Sequence, residues 1–155
     1  MRPPKKRKRS HLEEWLARDI QLRGLPAPEI EYRFMAHRFF RFDFAWPTLW
    51  IAVEVQGGAY IAGSGAHGHG AKASIDNAKA FAAAALGWTL IAVDAETVKS
   101  GLATRWIAYM IARRRLEPLA GGREQAVRNL VPDEAGLLPL LPPPAPQRVR
   151  ASGRR

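Results

Sequence analysis

Residues 42–58 read FDFAWPTLWIAVEVQGG, and two acidic residues stand there in segments that otherwise have the composition of buried β-strands. The acids are Asp43 and Glu54, and the dipeptide Trp46-Pro47 between them predicts a tight turn. A charge buried in a strand needs a partner or a metal ion, because desolvation without one costs a large free energy. This stretch therefore predicts two paired strands that carry chemically important carboxylates.

The alternation of side chains along these strands predicts where the two acids point. Successive side chains of a strand point to opposite faces, so Phe42 and Phe44 are expected on one face and Asp43 on the other. In the next strand, Val53 and its apolar neighbours are expected opposite Glu54. Pairing across the turn brings the two acids to the same side of the sheet. Adjacent carboxylates repel each other, so the arrangement is favourable mainly when a hard divalent cation lies between them.

The composition is that of a single domain outside a membrane. The 155 residues, of which 47% are hydrophobic, suffice for one core. No apolar run reaches the roughly 18 residues of a membrane span, and the basic start does not have the pattern of a signal peptide. We therefore expect a cytoplasmic protein with no membrane partner. The absence of cysteine excludes disulfides and thiolate ligands, which leaves carboxylate, imidazole and carbonyl groups to bind a metal.

The excess positive charge lies at the two ends of the chain. Of the net charge of +10, six basic residues stand in the first ten positions and four in the last eleven, and the other 14 are balanced by 14 acidic residues. Residues 1–10 therefore predict a disordered basic arm that contacts DNA phosphates at low salt. The contacts are expected from Lys5, Lys6, Arg7, Lys8 and Arg9. A solubility tail, or a nuclear-import signal in a eukaryotic cell, is the alternative interpretation.

Periodicity and turn signals predict the remaining elements. Helices are expected at residues 10–23, 73–86 and 97–115, and strands at residues 30–34, 38–45, 49–56 and 88–93. The apolar side of the last helix is expected to be Leu102, Trp106, Tyr109 and Met110. This order predicts an α/β domain over residues 11–116, with a mixed central sheet of about four strands, the first three largely antiparallel, flanked by helices.

Two further segments differ in composition from this domain. Residues 117–155 are rich in proline, leucine and basic residues, which predicts a partly disordered extension. Residues 57–70 contain six glycines and two histidines, a composition typical of a mobile loop beside a site. His67 in this loop is a candidate for metal ligation or proton transfer, with a solvated histidine as the alternative. The glycine spacing also allows a nucleotide site in a small α/β protein, although the strand ends too early for a dinucleotide fingerprint.

Asp43, ten intervening residues and then Glu54-Val55-Gln56 on the next strand resemble the core of the PD-(D/E)xK nuclease superfamily, which has the restriction-endonuclease-like fold. The wider series of FRFDFAWPTLWIAVEVQGG, a glycine loop with histidine, Asp76 with Lys79, and ALGWTLIAV resembles the small phage and bacterial endonucleases akin to very-short-patch-repair enzymes. The resemblance covers roughly residues 10–115 and leaves both ends of the chain outside it.

The resemblance implies roles for individual residues. Asp43 and Glu54 would hold Mg²⁺ or Mn²⁺ together with the backbone carbonyl of Val55. Gln56 stands where the superfamily usually has a lysine, and an amide orients water but supplies no positive charge. Either Gln56 suffices, or another residue supplies the charge, or the enzyme is impaired. The candidates for that charge are Lys72 and Lys79.

Two more residues match positions at which related nucleases carry functional groups. Glu13 matches an acidic residue often found on the first helix, although a capping box with Ser10 explains it equally well. His67 matches a recurrent position in the nearer relatives.

The resulting hypothesis is a Mg²⁺-dependent DNA endonuclease that acts on branched, mismatched or nicked DNA in phage or bacterial DNA metabolism. If the chain is phage-encoded, it would act in the host cytoplasm. A catalytically inactive, nuclease-like DNA-binding protein is the alternative. A purely structural interpretation pairs Asp43 with Arg41 or Arg38 and Glu54 with Lys79. A homodimer that cuts both strands stays an open alternative, with the leucines of residues 137–141 as a candidate contact.

Overall fold

The computed structural model describes residues 8–57 and 69–116 of the chain, and these residues form four α-helices and four strands. In chain order they are α1 (His11–Leu22), β1 (Glu29–Arg33), β2 (Arg41–Trp46), a 3-10 turn (Pro47–Leu49), β3 (Ile51–Val55), α2 (His69–Ala85), β4 (Thr89–Val93), α3 (Ala95–Lys99) and α4 (Leu102–Leu116). The Ser10 hydroxyl begins α1 by accepting a hydrogen bond from the Glu13 backbone N–H at 3.2 Å. The predicted basic residues Lys5, Lys6 and Arg7 and the extension over residues 117–155 lie outside the described residues.

The four strands form one mixed sheet in the order β1-β2-β3-β4. The pairs β1/β2 and β2/β3 are antiparallel, and β3/β4 is parallel. Parallel neighbours need a crossover connection, and α2 lies within that connection. The prediction of an α/β domain with a mixed four-stranded sheet flanked by helices is confirmed.

The sheet is covered on both faces, and the residues of β3 alternate between the two cores. Ile51 and Val53 belong to a core shared with α1, α3 and α4, whereas Ala52 belongs to a core shared with α2. The first core consists of Leu16, Ile20, Phe44, Trp46, Leu49, Ile51, Val53, Val93, Val98, Ala103, Ile107 and Ile111. The core on the other face of the sheet consists of Phe42, Ala45, Ala52, Ala83 and Trp88, and a smaller cluster on the same face consists of Met35, Ala78 and Ala82. A strand buried on both faces explains the nearly continuous apolar run of β3.

The expected alternation of β2 is wrong at its middle residue, Asp43. Phe42 packs on the α2 side, whereas Phe44 packs on the side of α1, so the two phenylalanines lie on opposite faces. The regular pairs Ile30↔Phe44 and Tyr32↔Phe42 flank this point. Glu31, which lies between them in β1, has a left-handed backbone with φ of 53°. In both strands the regular alternation of side chains between the two faces of the sheet is therefore interrupted at one residue, Glu31 in β1 and Asp43 in β2.

The helix predicted over residues 97–115 is two helices, α3 and α4. Asp94 caps α3 in a reciprocal capping box with Thr97, and Gly101, with φ of 75°, separates α3 from α4. Only glycine adopts that conformation without steric cost. The expected apolar side of α4 is wrong for Tyr109, which is 63% exposed, and it misses Ile107, which is fully buried, whereas Met110 packs against the first core as expected.

None of the helices that the structure describes is both long enough and apolar enough to cross a lipid bilayer.

Candidate metal centre

Asp43 lies where β2 and β3 separate. The regular ladder between these strands ends at the pair Phe44↔Val53, one residue short of Asp43 and Glu54. Beyond that point the Asp43 side chain takes the place of a backbone partner, since its Oδ2 accepts a hydrogen bond from the Val55 N–H at 2.8 Å. A carboxylate that accepts a backbone N–H is a strong hydrogen-bonding partner, and the bond fixes its direction. The charge of Asp43 is therefore held at the end of the paired region.

Three carboxylates meet at this point. One oxygen each of Glu13, Glu31 and Asp43 lies within 4.8 Å of the others. Glu13 reaches the sheet from α1, because Leu16 and Ile20 anchor that helix in the first core. Its side chain is only 4% exposed, which is unusual for an acidic residue and costs free energy unless the charge is compensated.

Glu31 is the member of this cluster that the sequence interpretation missed. It stands opposite Asp43 in the antiparallel register of β1 and β2, and it also pairs with Arg41 at 3.6 Å. Like charges directly opposite each other across two strands are unfavourable, and a non-glycine residue with positive φ adds strain. The segment EIEYR does offer a signal, because the hairpin register that places Ile30 opposite Phe44 also places Glu31 opposite Asp43.

Glu54 has a different partner. Among the described residues it is not part of the three-carboxylate cluster, and its Oε1 accepts a hydrogen bond from Lys79 Nζ at 2.5 Å. Lys79 comes from α2 and lies 5.7 Å from the centre of the Phe42 ring, a favourable position for a cation. Lys79 is thus brought to the end of β3, beside Glu54.

The pKa of Glu54 is raised by its surroundings. Burial is the largest cause, since it disfavours the charged carboxylate, and the nearby charge of Asp43 acts in the same direction. The charge of Lys79, the hydrogen bond from Lys79 and a hydrogen bond from the Asp43 backbone N–H lower the pKa but do not cancel the effect of burial. Glu54 is therefore more easily protonated than an exposed glutamate.

The oxygen-only donor set of Glu13, Glu31 and Asp43 suits a hard divalent cation. Carboxylate oxygens are the ligands preferred by Mg²⁺, Mn²⁺ and Ca²⁺, and mutual repulsion of three acids is relieved by such an ion. Two of the predicted site residues, Glu13 and Asp43, are brought together in this cluster, and Glu54 lies next to the Asp43 main chain.

The other predicted site residues are less directly placed. Gln56 is exposed at the end of β3, where its backbone N–H donates to the Val93 carbonyl at 2.7 Å. Val55 contacts Asp43 through its N–H. His67 and the Lys72 side chain lie outside the described residues, and Lys8 and Arg9 are exposed.

One ion pair of the purely structural interpretation is present in the structure. The Glu54–Lys79 ion pair is present as expected, whereas Arg41 is paired with Glu31.

In a comparison with known proteins, no protein-family model, no curated protein and no solved structure matched this chain.

Proposed function

We propose that this chain is a metal-dependent phosphodiester hydrolase that cuts DNA internally. The observation that carries the proposal is the meeting of the carboxylates of Glu13, Glu31 and Asp43 at one end of the sheet, beside the Lys79–Glu54 pair. Clustered acids next to a lysine in a rigid sheet are an arrangement suited to phosphodiester hydrolysis. The resemblance of Asp43 and Glu54-Val55-Gln56 to PD-(D/E)xK nucleases supports the same chemistry.

Mg²⁺ or Mn²⁺ would be held by Asp43 with Glu13 and Glu31, and Glu54 is a further candidate ligand from β3. When bound, the cation supplies a Lewis acid that polarises a phosphate and lowers the pKa of a water molecule. The three acids come from three elements, α1, β1 and β2, so the proposed donor set depends on how these elements pack together rather than on a single loop.

Lys79 supplies the positive charge that Gln56 lacks. Its ammonium group has three N–H donors, one of which is given to Glu54 Oε1. The other donors are suited to orient a water molecule or a phosphate oxygen, and the charge offsets the negative charge that develops on a phosphate during hydrolysis. Because Lys79 lies on a helix and Glu54 on a strand, the pair ties α2 to the site.

The test measures metal binding and cleavage in matched glutamate variants of α1. Glu13 is buried in the cluster, and its neighbour Glu14 is exposed. We expect Glu13→Gln and Asp43→Asn to lose calorimetric Mn²⁺ binding and the cleavage of plasmid and branched DNA, whereas Glu14→Gln keeps both. Cleavage at the wild-type rate by Asp43→Asn would exclude the proposed site.

A DNA-binding protein without catalysis is the second candidate, and the exposure of Gln56 in place of a lysine favours it. This candidate predicts salt-sensitive DNA binding without a Mn²⁺ signal. A calorimetric Mn²⁺ signal that is lost in Asp43→Asn would exclude it.

A further inference from the structure

We propose that the turn between β1 and β2, residues 34–40, is a platform on which an unpaired base of DNA stacks, with Phe39 as the stacking ring. This inference rests on the proposed function, because it names the class of DNA that the nuclease site would receive. It makes the substrate a DNA that exposes a base, such as a bubble, a flap or a mismatch, rather than a fully paired duplex.

The first observation is the exposure of Phe39. Its side chain is 71% exposed, whereas the other large apolar residues of the same turn pack inward. Met35 is 1% exposed, and Phe34 and Phe40 pack against the cluster that Met35 forms with α2. The turn thus has an apolar anchor of its own, and Phe39 is left outside it. A ring in this position can accept another flat group without any change in the core.

The second observation is that Arg33 holds both the turn and the ring. Its Nε donates to the carbonyls of Met35 at 3.0 Å and Arg38 at 3.1 Å, and its Nη2 donates to the Ala36 carbonyl. The guanidinium carbon lies 4.9 Å from the centre of the Phe39 ring. One face of the ring is therefore supported by a fixed cation. Such support lowers the conformational entropy that would be lost when a base stacks on the ring.

The third observation is charge. Residues 33–41, RFMAHRFFR, contain three arginines and one histidine but no acid. A nucleotide offers a flat base and a negative phosphate together, and the turn offers a ring and cations together. Aromatic rings beside arginine are the usual means by which proteins bind unpaired nucleotides without reading their sequence. The exposed ring and the Arg33 guanidinium beside it thus suit the same ligand.

The fourth observation is the distance from the proposed catalytic site. Phe39 precedes Asp43 by four residues on the chain that enters β2. At about 3.3 Å per extended residue, the two residues are at most about 13 Å apart along the strand. That length corresponds to about four stacked nucleotides of one DNA strand. A base on Phe39 would therefore place a nearby phosphate within reach of the carboxylates.

The test compares two labelled DNA molecules that differ by one unpaired base, with the full-length protein in EDTA so that no cleavage occurs. We expect Phe39→Ala to weaken binding of the DNA with the unpaired base by about 5- to 150-fold, the range found for loss of a stacking ring. Binding of the fully paired duplex should not change. Phe39→Trp, which keeps a ring, should bind both DNA molecules like the wild type.

The matched control is Tyr109→Ala, because Tyr109 is also an exposed aromatic residue, 63% exposed, but lies on α4, which packs on the other face of the sheet. This variant should bind both DNA molecules normally. A direct reading comes from 2-aminopurine at the unpaired position, whose fluorescence should be quenched by the wild type and not by Phe39→Ala.

Three results would overturn the inference: an equal loss of affinity for both DNA molecules in Phe39→Ala, no loss for either, or no binding by the wild type. The proposed hydrolysis is tested separately. A Phe39-dependent preference without metal-dependent cleavage would keep the stacking platform and reject the nuclease, whereas cleavage without this preference would do the reverse.

Discussion

At Glu31 a charged residue occupies a backbone conformation that favours glycine, with φ of 53°. We predict that Glu31→Gly is more stable than Glu31→Ala by about 1 kcal/mol, because glycine removes the strain of a Cβ in the left-handed region. Both variants lose the same carboxylate, so the difference between them isolates the backbone. Urea unfolding of the metal-free protein measures the two free energies.

The neighbouring Glu29 supplies the control for this comparison. It lies in β1, is exposed, and is regularly paired with Ala45. Here the order should reverse, with Glu29→Gly less stable than Glu29→Ala by about 0.5–1 kcal/mol, because glycine weakens an ordinary strand. The same order at both positions would mean that Glu31 carries no strain.

Lys79 limits the rise in the pKa of Glu54 that burial causes. In Lys79→Met, the pKa of Glu54 should rise further, because the remaining influences of burial and of the Asp43 charge both favour the neutral acid. Carboxyl NMR titration of the metal-free protein measures the shift. Lys99→Met is the control, because Lys99 is an exposed residue of α3. An unchanged titration of Glu54 in Lys79→Met would contradict the ion pair.

The raised pKa also fixes the sign of a stability effect. Because the folded state binds the Glu54 proton more tightly than the unfolded state, the contribution of this group is fully present below the unfolded pKa. It is lost as pH rises through the folded pKa. In Lys79→Met the loss should extend to higher pH. Thermal unfolding of the wild type and of Lys79→Met, measured at a series of pH values above the usual pKa of glutamate, would show the loss of stability at a higher pH in the variant.

The sequence predicts individual acids better than their partners. Asp43 stands out because a charge in a strand has few explanations, whereas Glu13 is a candidate only through the resemblance to nucleases, and its capping-box spacing from Ser10 explains it equally well. The partners depend on register and on the place where β2 and β3 separate, and alternation alone does not give either. For this reason the sequence pattern pairs Asp43 with Glu54, whereas the structure groups Asp43 with Glu31 and Glu54 with Lys79.

At the scale of elements, the break between α3 and α4 depends on Gly101. A Cβ at this position would meet Arg23 Nη2 at 2.8 Å, and φ is 75°. We predict that Gly101→Ala lowers the free energy of unfolding by about 1–2 kcal/mol, chiefly through the left-handed backbone, since the end of an arginine side chain can move aside. Thermal or urea unfolding measures the change.

Gly57→Ala is the matched control for this substitution. Gly57 follows β3, and a Cβ there would meet no atom within 4 Å. Its φ is not in the left-handed region, so alanine should be tolerated. A loss of stability at position 57 as large as that at position 101 would show that the backbone of Gly101 is not the cause.

The strands are easier to predict than the last helices, for a physical reason. The strands β3 and β4 are largely apolar runs, and the observed bounds of β1, β3 and β4 lie within two residues of those predicted. The sequence pattern starts the last helix at Thr97, but Thr97 is the third residue of a helix capped by Asp94. Gly101 interrupts the helix, so the residues of α4 do not continue the helical periodicity of α3. A single 3.6-residue period applied to both helices therefore assigns exposed residues such as Tyr109 to the apolar side.

At the scale of the whole molecule, charge and candidate chemistry lie in different parts of the chain. The carboxylates belong to the folded sheet, whereas the net charge of +10 comes from the two ends. We predict that replacing the five basic residues of positions 5–9 with glutamine weakens DNA binding and flattens its salt dependence. The slope of log K against log salt should fall by about 0.9 for each phosphate that the arm no longer neutralises. Anisotropy titrations over a range of salt concentrations measure it.

Replacing the four arginines of the last eleven residues provides a comparison of the same kind at the other end of the chain. The preference for an unpaired base should survive in the variant of positions 5–9, because Phe39 lies on the sheet hairpin. Loss of that preference along with the salt dependence would assign both properties to the arm.

The hydrogen bond from the Val55 N–H to Asp43 Oδ2 gives the protein an internal reporter. The resonance of an amide proton donated to a carboxylate depends on the charge of that carboxylate, so the Val55 signal should move when Asp43 takes up a cation. Ala52 lies in the same strand as Val55 and is paired regularly with Ala45 of β2, so the resonance of its amide proton should not move. A single amide signal in a metal titration would thus register occupancy at the carboxylates, with neither a substrate nor a turnover.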